Sequence, residues 1–194
     1  MSVVALSEQH WSVEHRSGVP HDPRRHAEVL DGGLSPNAAS SWIHQRCIAE
    51  LLKLLEPFIE DSGIGIVLSA PAEIVLDGTT SAHPDVSVIG LVDGVVSISW
   101  RSHDRLLLAV EVLSPPTARC DRVYKRSAYL RMDAVYWIVD PDARVVERWL
   151  PGASRPDVLD DEVFWFPDGA PEPLVIDVAT YFRRVFRYFA PARP

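Results

Sequence analysis

The chain reads as an α/β protein, a mixed central β-sheet flanked by α-helices, and three stretches carry that expectation. The run LLLAVEVL from Leu106 to Leu113 is aliphatic at seven of its eight positions, which suits a strand buried on both faces. Apolar residues at Ile43, Cys47, Ile48, Leu51, Leu52, Leu54 and Leu55 recur with a helical period. Further on, AVYWIVDPDARVVERW holds two strand-like runs around an Asp140-Pro141-Asp142 turn. Helix, strands, helix and hairpin in that order suggest a sheet that is at least partly antiparallel, with helices packed against it.

Composition bounds the function. With 194 residues the chain suits a single domain, expected over 24–194 and preceded by an arm, 1–23, without periodic structure. The hydrophobic share of 47% beside 24% charged residues is that of a water-soluble globular protein. No window approaches the roughly 18 uninterrupted apolar residues of a membrane span. The start, MSVVALSEQHW, has no basic segment leading into a long apolar one, so a secretory signal is not expected and the cytoplasm is the default. Cys47 and Cys120 lack the spacing of a metal or redox motif and are expected as free thiols. The net charge of −8 argues against permanent residence on nucleic acid, although segregated charge still allows an enzyme to visit it.

In chain order, Ala27 to Leu30 is a short apolar piece, Asp31-Gly32-Gly33 a turn signal, and the residues after it a small-residue loop. Glu28 lies just before the turn. A helix follows from Ser41, with Ser40 or Ser41 as N-cap, ending between Pro57 and Gly63. His44, in its first turn, reads as an ordinary helix histidine bonded to a neighbour rather than as a catalytic group. GIVLSAPAEIVLDG is β-branched and broken by Pro and Gly, giving two short strands or one bent strand. HPDVSVIGLV places Asp85 at the first position of a strand, with Val86 and Val88 on one face and Asp85, Ser87 and Ile89 on the other.

Glu111, a carboxylate inside an apolar strand, must be ion-paired, metal-bound or protonated. Antiparallel pairing centred near Ile98 would set residue 85 beside residue 111, unless GVVSISW forms a further strand that changes the register. Like charges side by side repel unless a cation lies between them, and oxygen ligands suit Mg²⁺ or Mn²⁺ better than zinc.

Beyond the strand, Ser114-Pro115-Pro116-Thr117 is a breaker, with Thr117 as N-cap of a helix from about Ala118 to Met132. Asp121, Lys125 and Tyr129 fall at i, i+4 and i+8 on one side of it. Two readings stand for Asp121 and Lys125: a surface ion pair, or a lysine delivered to the carboxylates. Between Ser114 and Met132 the basic residues Arg119, Arg122, Lys125, Arg126 and Arg131 face a single acid, Asp121, a local charge of +4. Such a patch suits a phosphodiester substrate, and also suits a plain solvated helix face. Tyr136, Trp137 and Trp149 read as core and EVFWF as a strand. IDVATYFRRVFRYF reads as an amphipathic C-terminal helix with Val178, Tyr181, Phe182, Val185 and Phe189 inward, an aromatic face open to homodimer or intramolecular packing.

The succession AEVLDGGL, a helix with His44 near its start, HPDVSVI, LAVEVLSPPTARCDRVYKRSAYL and AVYWIVDPDARVVERW resembles the Uma-type family of predicted endonucleases. That family has the restriction-endonuclease-like fold of the PD-(D/E)XK nuclease superfamily, and the resemblance spans roughly Arg24 to Phe182. It implies that Asp85 and Glu111 bind a divalent metal, Mg²⁺ or Mn²⁺, that Lys125 is the catalytic lysine, and that Glu28 is the supporting glutamate from the N-terminal segment. Asp121 and Tyr129 would position Lys125, and Arg119, Arg122 and Arg126 would meet nucleic acid, with DNA favoured over RNA. The chain departs from the pattern twice: Leu113 stands where the superfamily usually has its lysine, and Gly33 where the family commonly has a second acid. Two other readings stay open, a non-catalytic module that keeps the acidic pocket and a hydrolase of a small phosphorylated molecule.

Overall fold

The structure, a computed structural model, describes residues 27–30, 33–36, 41–77, 80–115 and 117–189. The expected arm, 1–23, and the Asp31-Gly32 turn lie outside the described residues. β1 (Ala27–Leu30) pairs antiparallel with β2 (Gly33–Pro36), so the small-residue loop expected after the turn begins as a strand. α1 (Trp42–Ser62) starts at Ser41, whose hydroxyl accepts the His44 N–H at 3.1 Å. It continues through Pro57 and stops at Gly63, where φ is 63°, a left-handed conformation that glycine adopts without strain.

After α1 come β3 (Gly65–Ser69) and β4 (Ile74–Asp77), two strands rather than one bent strand. β5 (Thr80–Ala82) has no signal in the sequence: three small or polar residues carry no period, and it forms by pairing with β1 and β4. β6 (Val86–Gly90) and β7 (Arg105–Val112) are joined by a loop in which GVVSISW forms no strand, only a bridge from Val92 to Val95. The helical segment after β7 is three pieces: α2 (Ala118–Cys120), a π-helical turn (Asp121–Lys125) and α3 (Arg126–Arg131). Thr117 does not cap it. Its hydroxyl meets Ser114 Oγ at 2.9 Å instead.

β8 (Val135–Asp140) and β9 (Val145–Trp149) form the expected hairpin. β10 (Asp157–Leu159) then adds an edge strand, and β11 (Glu162–Trp165) pairs with β12 (Leu174–Asp177). The piece expected to open the last helix is thus β12, and α4 (Val178–Val185) begins one residue past Asp177, whose carboxylate accepts the Thr180 N–H.

Six strands in the order β10-β9-β8-β7-β6-β3 make the central sheet. β7 and β8 are parallel and the other pairs antiparallel, so the sheet is mixed. A smaller sheet runs β2-β1-β5-β4. On one face of the central sheet, Val86, Val88, Leu108, Val110, Val112 and Trp137 pack against α1 and α4. On the other, Ile89, Leu106, Ala109, Tyr136 and Ile138 pack with Tyr129 of α3 and Ile74 and Ala82 of the small sheet. The alternation of side chains along a strand therefore decides which residues see which layer. The aromatic face of α4 is used within the chain, Tyr181 and Phe182 being buried beside α1; Phe189 is half-buried. Among the described residues no helix is long and apolar enough to cross a membrane.

Candidate active site

β6 and β7 pair Val86 with Val110 and Ser87 with Ala109, and one further step of that register sets Asp85 beside Glu111. The expected register thus holds at this end, and a bulge between Val88 and Ile89 shifts it only farther along. Asp85 sits in the bend just before β6. Its Oδ2 accepts the Val112 N–H at 2.8 Å, and its Oδ1 lies 3.1 Å from His44 Nε2. One carboxylate thereby joins three elements, the start of α1, the start of β6 and the end of β7.

Glu111 projects to the opposite face from Val110 and Val112. Its Oε1 accepts hydrogen bonds from Lys125 Nζ at 3.1 Å and from the Tyr129 hydroxyl at 3.0 Å. Lys125 Nζ is also 3.4 Å from Asp121 Oδ1. Glu111, Asp121 and Lys125 are 3%, 1% and 4% exposed, which removes the surface ion-pair reading: burial of this kind strengthens each contact and raises the cost of breaking one. Burial beside the Glu111 and Asp121 carboxylates also holds the Tyr136 phenol well above its ordinary pKa, so that hydroxyl stays protonated and donates to the Asp121 carbonyl at 3.2 Å.

The π-turn explains how one helix presents all three groups. In a regular α-helix four residues rotate by about 400°, so positions i, i+4 and i+8 drift by roughly 80° in total. Within the π-turn the Arg126 N–H reaches back five residues to the Asp121 carbonyl, and this wider loop rotates less per residue and offsets the drift. Asp121, Lys125 and Tyr129 consequently face the same strand. The sequence contains no signal for this feature, because an i→i+5 bond has no residue preference of its own.

Glu111, Lys125, Asp121 and Tyr129 thus form one buried contact group, and Asp85 lies one register step from Glu111 with His44 and the Val112 N–H as its partners. Glu28 lies on β1, whose Val29 pairs with Ser81 ahead of Asp85; its side chain lies outside the described residues. The three arginines expected to meet nucleic acid differ in their surroundings. Arg122 is not a free phosphate contact, since its Nε and Nη2 bind Glu147 Oε1 at 2.9 and 2.6 Å and Nη2 reaches Asp140 at 3.3 Å. Those contacts, the Glu147 hydrogen bonds foremost, raise its pKa further. Arg126 lies over the Trp149 ring at 4.6 Å, and Arg119 is exposed. With Lys125 and Arg122 both engaged by carboxylates, the patch of +4 is largely neutralised within the fold.

His44 is the site residue that pattern reading undervalued. A histidine in a first turn is an ordinary sight, and only the meeting of α1 with β6 gives it Asp85 as a partner. Among the described residues no cluster of three or more His, Cys, Asp or Glu side chains has the geometry to hold a metal ion. The carboxylate pair suits Mg²⁺ all the same, an ion usually held by one or two carboxylates with water and phosphate oxygens completing its shell. The hard-oxygen donor set fits it better than zinc.

Comparison with known proteins agrees with this architecture. The sequence model of the Uma2 family, described as "putative restriction endonuclease", matches residues 15–179. Among solved structures, a "putative nuclease belonging to DUF820" from Anabaena variabilis superimposes with a TM-score of 0.72 at 17% identity, over 90% of this chain and 99% of that one. At that identity the likeness speaks for the fold alone. No curated protein matches the chain.

Proposed function

The chain belongs to the Uma2 family, and from that premise we propose that it is a divalent-metal-dependent endonuclease that hydrolyses phosphodiester bonds, in DNA rather than RNA. The single observation that supports the proposal is the buried contact of the Lys125 ammonium with Glu111 at 3.1 Å, one register step from Asp85 at the end of the β6–β7 pair.

Asp85 and Glu111 are the residues that would hold Mg²⁺ or Mn²⁺. Such an ion, when bound, supplies Lewis-acid stabilisation of the phosphate and lowers the pKa of a coordinated water. The chain's own groups do the remainder. His44 and the Val112 N–H fix both oxygens of Asp85, and the Tyr129 hydroxyl fixes Glu111 Oε1. Lys125, held between Glu111 and Asp121, offsets the negative charge that develops on the phosphate as the bond breaks. It enters from the helix rather than from the strand, where Leu113 belongs to the apolar layer. Arg119, an exposed cation in the helical segment after β7, would meet substrate phosphate.

The deep burial of Glu111 and Lys125 is the observation that favours the rival reading, a non-catalytic module in which this pair only holds the fold. Mg²⁺-dependent nicking of supercoiled plasmid separates the two. Wild-type protein is expected to nick, with Glu111→Ala and Lys125→Ala reducing the rate at least about a hundredfold, the scale of removing one preorganised charge interaction. Equal nicking by wild type and Glu111→Ala would refute the assignment.

A further inference from the structure

The end of the central sheet that bears the carboxylates also carries a group of residues the proposed chemistry leaves unused. β7 and β8 run parallel, with Glu111 opposite Ile138 and Val112 opposite Val139, so the β8–β9 turn lies at the same end as Glu111. Arg144 of that turn, exposed and with φ 57°, sets its guanidinium over the Phe186 ring at 4.9 Å. Phe186 directly follows α4, and α4 abuts the first turns of α1. The Tyr181 hydroxyl donates to the Cys47 carbonyl at 2.9 Å, and Arg46 Nη2 to the Arg184 carbonyl at 3.4 Å. That part of α1 is also where His44 grips Asp85.

Arg183, Arg184 and Arg187 are all exposed. From Val178 to Phe189 the sequence has these three arginines and no acid, in a chain of net charge −8. Asp142 is the exposed acid of the neighbouring turn. Two large aromatics stand open on the same pair of packed elements, α1 and the end of α4. Tyr188 is 79% exposed with the Arg187 guanidinium 5.2 Å from its ring centre, and Trp42, one helical turn before Arg46, is 82% exposed. Trp137, Trp149 and Trp165 are buried, as the apolar indole demands, so solvent exposure of Trp42 is costly to the free protein.

We propose that this rim is a track for single-stranded nucleic acid, on which the arginines of α4 and the β8–β9 turn hold phosphates while Trp42 and Tyr188 stack unpaired bases and lead the strand toward Asp85 and Glu111. The choice of polymer rests on the nuclease reading. The choice of strandedness rests on the aromatics, because a ring face can stack only on a base whose own face is open. An acidic peptide would use the arginines and leave both rings without a role.

Fluorescence anisotropy of a labelled single-stranded oligonucleotide, with full-length protein in EDTA so that nothing is cleaved, tests the track. The paired change Arg184→Glu and Arg187→Glu is expected to weaken binding at least about tenfold and to flatten its salt dependence by about 0.7 in log–log slope for each phosphate no longer neutralised. Trp42→Ala and Tyr188→Ala should each weaken it about fivefold or more; both side chains are open to solvent, so thermal unfolding should be unchanged. Quenching of tryptophan fluorescence by the strand should vanish in Trp42→Ala alone. Full affinity in both aromatic variants, tighter binding of the matching duplex, or displacement of the strand by polyglutamate would each overturn the track. Rim-dependent binding without Mg²⁺-dependent cleavage would sink the nuclease reading and spare the track. Cleavage with affinity indifferent to the rim would do the reverse.

Discussion

Lys125 is one of two lysines in a chain with seventeen arginines. A compact ammonium with three donors fits between two buried carboxylates and a planar guanidinium fork does not, so Lys125→Arg is expected to leave plasmid nicking as low as Lys125→Ala. Removing one partner from a buried ion pair leaves an uncompensated charge, a loss of about 3–5 kcal/mol. Lys125→Met should reach that range in urea unfolding, because Glu111 and Asp121 both lose their cation. Glu111→Gln should cost clearly less, since the lysine keeps Asp121 and Tyr129 keeps an amide oxygen. Equal losses would contradict the shared ammonium. Cys47 offers a test by pH. Burial, the largest cause, pushes its thiol from an ordinary 9.0 up to about 11. A raised folded-state pKa contributes stability that is full below 9.0 and is lost as pH climbs through about 11, a loss of about 2–3 kcal/mol. Urea midpoints measured between pH 8 and 11.5 should therefore fall more steeply in wild type than in Cys47→Ala.

At the scale of elements, the segment after β7 shows what pattern can and cannot supply. Its helical character, and the common side of Asp121, Lys125 and Tyr129, were legible from spacing. The π-turn that aligns them was not, being closed by the Asp121 carbonyl against Arg126 and Tyr136. Arg122 then ties this turn to β9 through a two-pronged contact with Glu147. Arg122→Ala should lower stability by about 2 kcal/mol, and Arg122→Lys should recover little of it, because an ammonium cannot reproduce the fork. Recovery to wild type with lysine would show that charge alone mattered. α1 is simpler: its N-cap was readable as Ser40 or Ser41, and Ser41→Ala should cost about 1 kcal/mol in the same measurement. The aromatic inward face of α4 was legible too, for Tyr181 and Phe182, but its expected first residues belong to β12, since LVID has no period long enough to tell strand from helix.

For the whole molecule, two apolar layers clamp a sheet that carries Asp85 and Glu111 at one end, and a cation held by them, as proposed, would bind the folded chain and not the unfolded one. Mg²⁺ at a hundredfold its dissociation constant should then stabilise the protein by about 2.7 kcal/mol, visible as a rise in melting temperature. Asp85→Asn should abolish that rise, and a rise that persists in the variant would place the ion elsewhere. The long helix α1, the strands β6 and β7 and the hairpin at Asp140 followed from the linear chain, as did the 85–111 register once antiparallel pairing was supposed, because hydrophobic period, turn residues and strand arithmetic act over short distances. What linear reading could not supply was the set of partners. β5 exists because β1 and β4 flank it, Arg122 is neutral in effect because β9 brings Glu147, and His44 matters because α1 starts against β6. Those facts depend on which surfaces meet, and surfaces distant along the chain meet only when burial of both core layers is satisfied at once.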